Sequence, residues 1–379
     1  MINKIAIVTT GHPPLDERIF WKFACSISDT GYEVSIICST QDINESRNGI
    51  EIKGFLDDSL SRNGKFNKLL TELIAFEPDL IICSEVSAIV PSCKYKKSRN
   101  NNCKIVSDIT EWYPENVTSK KRGLSKIINF IFLWMMNIYF TNKCDYLIVG
   151  ENTKKRRYDL IAPALPKILI GYYPVLKYFS TTEPSPIKDE LVLCYAGLLN
   201  FDRGINQIIN ASEKLYLRNP GLKIIIKFAG KFQTECDESK FDEISPVSEK
   251  IIIEKIGWTD YDKMSANFKD VNIFIDLRKR NFIYKNSLPI KLFEYMAYGR
   301  PFIFSDILPV RQGLEFNICG TLVDPENESE IVDAIEEYIK KPDLFIQTSK
   351  NARKLIETEL NWESESKKLL RLIDGLSTL

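Results

Sequence analysis

Unbroken apolar, β-branched runs alternate with stretches of helical spacing along this chain, and the alternation occurs twice. In the first series the strand-like runs are residues 4–9, 33–38, 79–83, 104–107 and 145–149. Helical patterns at 19–27, 66–76, 124–142 and 152–160 separate them. A strand that is apolar on both faces needs cover on both faces. Alternation with helices therefore predicts a parallel sheet sandwiched between helical layers. The stretch 172–190 then breaks the pattern with Pro174, Pro184 and Pro186 among Ser and Thr, and reads as a linker. The alternation restarts with strand-like runs at 191–196, 223–229, 251–254, 271–276 and 301–305. Helical patterns follow at 204–216, 261–268, 289–298 and 328–340, with an amphipathic tail at 362–373. The expected fold class is α/β, with two doubly wound, Rossmann-like parallel-sheet domains facing across a cleft. We expect the first domain at 1–175 and the second at 176–361, with helix 362–379 packing back on the first. Ligands of such sheets bind beyond the carboxyl ends of the strands.

Charge narrows the function classes. Lys plus Arg is 51 and Asp plus Glu is 51, which ranks a dedicated nucleic-acid binder low. The charge is uneven: residues 1–180 carry a net +5 and residues 181–379 a net −5. Basic clusters lie at 94–97 with Arg99, at 120–122 and at 154–157. They read either as solvated helix ends or as a surface for anionic lipid headgroups or an anionic acceptor. Nine cysteines without a C-x-x-C pair, several inside apolar runs, suit reduced thiols of a cytoplasmic protein. The first apolar run is too short for a signal peptide. Residues 127–140, broken by Asn129 and Asn137, fall short of the roughly 20 needed to cross a bilayer. Being apolar nearly all round, they are expected to form a buried core helix. The basic flank at 119–126 supports the alternative, a peripheral contact with the inner membrane face.

Neither G-x-G-x-x-G nor G-x-x-x-x-G-K-[ST] occurs, so the common dinucleotide and P-loop readings lack support. With one histidine, His12, a histidine-based triad or metal site has a single candidate. Three loops between a strand and a helix stand out. One runs from Thr9 to Arg18 through Gly11, where backbone approaches a ligand closely and the helix start faces the loop. The second runs from Gly197 to Gly204 and contains Arg203. The third, Asn286-Ser287-Leu288-Pro289-Ile290-Lys291, places amides at a helix start as an anion site, with Lys291 adding charge.

The run SLPIKLFEYMAYGRP at 287–301 resembles the C-terminal signature of glycosyltransferase family 4 enzymes, which have the GT-B fold. The likeness continues through Ser305-Asp306, through CGTLVDP at 319–325 and through Asn361-Trp362-Glu363. Upstream, Tyr195-Ala196-Gly197 with Arg203-Gly204-Ile205 resembles another family segment, and Ile256-Gly257-Trp258 resembles the loop beside the base. His12, Asp16, Arg18, Ile19 and Phe20 resemble the opening of many members, and Asp108 with Glu111-Trp112-Tyr113 another loop.

The resemblance implies a retaining hexosyltransferase acting on a UDP- or GDP-linked sugar. The acceptor would be a glycan or a lipid-linked saccharide, in surface polysaccharide synthesis, and neither metal nor cofactor would be needed. Glu294 would bind the donor ribose, since a carboxylate accepts two hydrogen bonds from a diol. Arg203 would hold the diphosphate and stabilise charge growing on the leaving group. Gly11 would meet the diphosphate; Gly257 and Trp258 would flank the base. The nucleotide would lie on the second domain and the acceptor on the first, with His12 in the site. Two positions depart from the family pattern. Asn286 stands where a glutamate usually contacts the donor sugar, and Leu198 where a basic residue is common; Lys285, Lys291 or Arg278–Arg280 are candidates to compensate.

Each residue also has a plainer reading. Glu294 reads as an ordinary helix glutamate, Arg203 as a partner of Asp202, and His12 as a surface loop residue. Asp108 and Glu111 read as loop caps, and Arg278–Arg280 as solvated surface. Two rival functions remain, a non-catalytic nucleotide-sugar-binding subunit and a nucleotide-sugar epimerase.

Overall fold

The computed structural model describes residues 2–119, 122–313 and 318–377, so Lys120 and Lys121 of the basic cluster and the last two residues lie outside it. The chain forms two compact units, Met1–Tyr172 with Trp362–Leu379, and Tyr173–Asn361.

The first unit is built on β1 (Lys4–Thr9), β2 (Glu33–Cys38), β3 (Thr40–Arg47), β4 (Ile50–Leu56), β5 (Leu80–Cys83), β6 (Lys104–Ile109), β7 (Tyr146–Val149) and β8 (Lys167–Leu169). Their order is β3-β4-β2-β1-β5-β6-β7-β8. β1 and β5 lie at the centre and are buried along almost their whole length, as their two-sided apolar sequences require. The pairing is parallel except between β3 and β4. That edge hairpin departs from the all-parallel expectation. It turns on Asn48 and Gly49, with φ of 54° and 74°, where both residues must be left-handed to match the strand twist. Asn-Gly between Arg47 and Ile50 is a legible signal for it.

The second unit contains β9 (Glu190–Ala196), β10 (Lys223–Ala229), β11 (Ile251–Ile256), β12 (Ile273–Asp276), β13 (Phe302–Ser305) and β14 (Gly320–Val323). The order β11-β10-β9-β12-β13-β14 is parallel throughout. The direction of strand addition reverses between β9 and β12, which places a ligand crevice at the carboxyl ends of these two strands.

The final helix, Trp362–Ser377, belongs to the first unit. The Trp362 indole stacks on Phe23 with centroids 5.6 Å apart, and its Nε1 donates to Ser26 Oγ at 2.8 Å. Glu365 accepts from the Gly171 amide at 2.8 Å.

Two expectations from the sequence are corrected here. The apolar run 127–140 is not a core helix. It lies in the helix Gly123–Thr141, whose buried residues are Asn137 and Thr141, the polar ones. The basic run 154–157 is only partly surface. Lys154 is buried against Glu151 at 2.9 Å, and Arg157 pairs with Glu115 at 2.7 Å while lying over the Trp112 ring. At helical spacing, positions three apart share a face, so the two ends of the run, Lys154 and Arg157, turn inward together.

Candidate active site

The signature 287–301 is partly a structural device. Its helix, Ile290–Ala297, follows Pro289, whose φ of −76° is close to the value the ring imposes. The Tyr295 hydroxyl donates to the Ala196 carbonyl at 3.0 Å and accepts from the Ala196 amide at 3.2 Å, tying the helix to the end of β9. The Tyr295 ring also stacks on Phe274 of β12 at 4.4 Å. Gly299, with φ of 64°, ends the helix in the left-handed turn that glycine adopts at least cost. The buried Arg300 donates to the carbonyls of Val271, Gly299 and Thr182. Tyr295, Gly299 and Arg300 therefore hold the helix in place, leaving Lys291 and Glu294 as its chemical groups. Glu294 is buried and accepts from Lys291 Nζ at 2.6 Å, one turn away.

The loop after β9 delivers Arg203. Gly204 has φ of 89°, and a Cβ there would lie 2.4 Å from the Leu277 carbonyl oxygen, so only glycine lets this loop close on β12. Arg203 Nη1 donates to the Tyr195 hydroxyl at 3.4 Å, and that hydroxyl donates to the Leu198 carbonyl at 3.0 Å. Burial pushes the Tyr195 phenol up to about 12, so it stays neutral. Asp202 does not pair with Arg203; it pairs with Lys279 at 2.7 Å. Among the described residues no carboxylate lies within ion-pair distance of Arg203, and its buried Nε has no hydrogen-bond partner.

From the neighbouring β12 comes a second arginine that the sequence reading placed on the surface. Arg278 is buried, and its Nε and Nη2 grip the fully buried Asp276 at 2.7–3.0 Å. Ser305, at the end of β13, donates to the Arg278 carbonyl at 3.0 Å. Both guanidiniums face one ring: Tyr284 lies 5.5 Å from Arg203 and 5.7 Å from Arg278. The pair thus spans the switch point. Asp276 neutralises Arg278, so Arg203 is the surplus cation. The sequence signal for this was Asp276 at a strand end two residues before Arg278. Arg280 is exposed and paired with Asp324 at 3.0 Å.

The other expected residues fall as follows. Asn286 ends the short helix Phe282–Asn286, and its side-chain amide donates back to the Phe282 carbonyl at 2.7 Å. Ser287 and Leu288 link that helix to Ile290–Ala297 and are half-buried. Gly257 and Trp258 follow β11; Trp258 is 66% exposed with Lys231 over its ring, and nothing crowds Gly257.

Gly11 and His12 lie in the first unit, in a loop whose amides already have carboxylate partners. Glu85, which the sequence reading did not single out, occupies the loop. It accepts from the amides of Thr10 at 2.8 Å and Gly11 at 3.2 Å and from the Thr9 hydroxyl at 2.9 Å. The helix start is likewise satisfied by Asp16, which accepts from the amides of Arg18 and Ile19. With those donors used by carboxylates, the loop is an acidic rim. It borders a cavity of about 500 Å3 lined by Thr10, His12, Glu85, Asp108, Glu111 and Tyr113 among others, a volume ordinary for small-ligand sites. Arg18 and Asp108 are internal supports. The buried pair is bidentate at 2.6 and 2.8 Å, and Arg18 also donates to the carbonyls of Ile170 and Gly171.

His12 Nδ1 lies 3.7 Å from Asp16 and Nε2 lies 3.6 Å from Glu85. Burial works against the imidazolium, but Asp16, Glu85, Glu111 and Asp108 outweigh it and raise the pKa above its ordinary 6.5. A raised folded-state pKa stabilises the fold fully below about 6.5, and that contribution fades as pH rises through the folded value. Because His12 is the sole histidine, its ring protons give one NMR titration curve. The expected midpoint lies above 6.5 and falls in Glu85→Gln; a wild-type midpoint below 6.5 would contradict the placement.

Residues 180–355 match the family model described as glycosyl transferases group 1. Solved structures match along almost the full chain. Sucrose-phosphate synthase from Thermosynechococcus elongatus is 14% identical, with 99% of each chain covered and a TM-score of 0.74. HepE from Anabaena, in complex with UDP and glucose, is 12% identical with a TM-score of 0.73, covering 98% of this chain and 99% of that one. WaaG, a glycosyltransferase involved in lipopolysaccharide biosynthesis, is 14% identical with a TM-score of 0.68, covering 98% of this chain and 100% of that one. The fold is GT-B. No curated protein sequence matches the chain. The family match over residues 180–355 supports a glycosyltransferase.

Proposed function

We propose that this GT-B protein is a retaining hexosyltransferase of glycosyltransferase family 4, moving a sugar from a UDP- or GDP-linked donor to a glycan or lipid-linked acceptor. The carrying observation is Arg203, a partly buried cation without a carboxylate partner among the described residues, at the switch point of the sheet that bears the family match. A diphosphate supplies the missing charge. Arg203, backed by Arg278, would hold it without a metal and stabilise the charge that grows as the anomeric carbon–oxygen bond breaks. The acceptor oxygen forms the new bond on the same face, and its proton passes to the departing diphosphate. Glu294 accepts from the ribose hydroxyls, and the exposed Trp258 stacks on the base. Lys291 orients Glu294; Gly257, Ser287 and Leu288 shape the loops around it. The cavity of the first unit, with His12 and Glu85 on its rim, suits the hydroxyls of a saccharide acceptor, for surface polysaccharide synthesis.

Thermal unfolding with UDP, GDP, ADP or CMP tests the donor half. One nucleotide at about a hundred times its dissociation constant stabilises by about 2.7 kcal/mol. The expected result is a clear rise in Tm with UDP or GDP, lost in Glu294→Ala. Indifference to all four would sink the reading. Asn286, which caps its own helix in place of the family's glutamate, favours the non-catalytic subunit as the second reading. Nucleotide binding without transfer to any saccharide acceptor would favour it.

A further inference from the structure

The helix Gly123–Thr141 carries an exposed apolar stripe. Leu124, Ile128, Ile131, Met135 and Tyr139 recur every three or four residues and point outward; Leu124 is 72% and Ile128 60% exposed. On the inward side Phe130, Leu133, Trp134 and Phe140 are half-buried, and the deepest residues are polar. Asn137 and Thr141 are fully buried, and Asn137 Oδ1 accepts from the Thr141 hydroxyl at 3.2 Å and the Tyr158 hydroxyl at 3.3 Å. Trp134 meets the domain through Arg157, which lies 5.1 Å from its ring centre. Water is a poor solvent for such an outward stripe, and stripes of this extent mark contact surfaces.

Charge identifies the occupant. Between Glu115 and Asp145 the sequence has no acidic residue and five basic ones: Lys120, Lys121, Arg122, Lys126 and Lys143. Arg122 and Lys126 flank the start of the stripe and Lys143 its end, all exposed. A second copy laid against this face would bring like charges together. An anionic bilayer surface would take the stripe among its acyl chains and the cations among its headgroups.

The helix is long and apolar enough to cross a membrane, but its connections forbid it. It joins β6 to β7, hydrogen-bonded neighbours in one sheet, so both ends return to the same folded unit. We propose that Gly123–Thr141 is an in-plane docking helix that holds the first unit on an anionic lipid surface.

Flotation of the full chain with vesicles tests this. One set is phosphatidylcholine alone, the other phosphatidylcholine with phosphatidylglycerol. The expected result is recovery with the anionic vesicles, weakened by salt. The variant Ile128→Ser/Ile131→Ser/Met135→Ser changes only outward residues and should lose binding about tenfold or more. Circular dichroism and the nucleotide-dependent Tm shift verify that it stays folded. Wild-type protein that stays off both vesicles, or a triple variant that binds equally well, overturns the proposal. So does a wild-type dimer that the triple variant dissociates, without vesicle binding. Flotation needs neither donor nor acceptor, so its failure is distinct from failure of sugar transfer.

Discussion

Asp108→Ala lowers the stability of the protein by about 3–5 kcal/mol, the range for removing one partner of a buried ion pair. Arg18 and Asp108 are 4% and 3% exposed, so the arginine left behind keeps its charge where water cannot reach it. Arg18 is further enclosed between the rings of Phe23 and Tyr172, each 4.6 Å from the guanidinium carbon. It also ties the helix Glu17–Ala24 to the segment after β8 through Ile170 and Gly171. Urea unfolding followed by circular dichroism measures the loss. The double variant Arg18→Met/Asp108→Leu removes both charges and should recover most of it, because the larger part of the penalty is the unpaired ion. If Asp108→Ala unfolds within about 1 kcal/mol of wild type, the pair is not the support described, and Asp108 is free to be read as a substrate group.

Arg203→Ala should lower kcat/KM for sugar transfer about a hundredfold, or about 2.7 kcal/mol in barrier. The reasoning is electrostatic. A cation held in advance where charge develops needs no rearrangement at the moment of reaction. Arg203→Lys should recover only part of the rate, since an ammonium does not reproduce the planar fork toward a diphosphate. Arg278 is the wrong residue to truncate first. Its loss strands Asp276, which is completely buried, and would confound folding with catalysis. Release of nucleoside diphosphate from the donor that shifts Tm is the readout. Turnover of Arg203→Ala within threefold of wild type would remove Arg203 from the site.

Comparison of particular elements shows what patterning conveys. β1, β5, β9 and β12 are apolar on both faces, and such segments have few stable placements other than the middle of a covered parallel sheet. The edge strand β3, exposed and polar, carried no such signal; only the Asn-Gly turn marked it. The helix Val86–Ser98 is announced neither by its spacing nor by its composition, since Pro91 sits in its interior. Composition also misplaced the helix Gly123–Thr141. An apolar stretch states a preference for leaving water, and burial in a core is only one way to satisfy it.

The candidate site divides similarly. Glu294 and Arg203 were singled out through the family resemblance, and the loops around them because a helix start and a glycine-bounded turn need particular residues at fixed local spacing. Arg278 had one local signal, Asp276 two residues before it, whereas Glu85 had none, because its role rests on partners distant in sequence. Glu85 reaches the Thr9–Gly11 loop across 74 to 76 positions, and Arg203 and Arg278 meet only because β9 and β12 are neighbours. By itself the sequence determined the two parallel-sheet units and the signature helix, since periodicity and turn chemistry act over a few residues. The tertiary structure alone decided that the two arginines share one ring, which carboxylate fills the glycine loop and which face of the long helix meets solvent. Charge pairing and burial depend on strand order, and strand order is set by long-range packing.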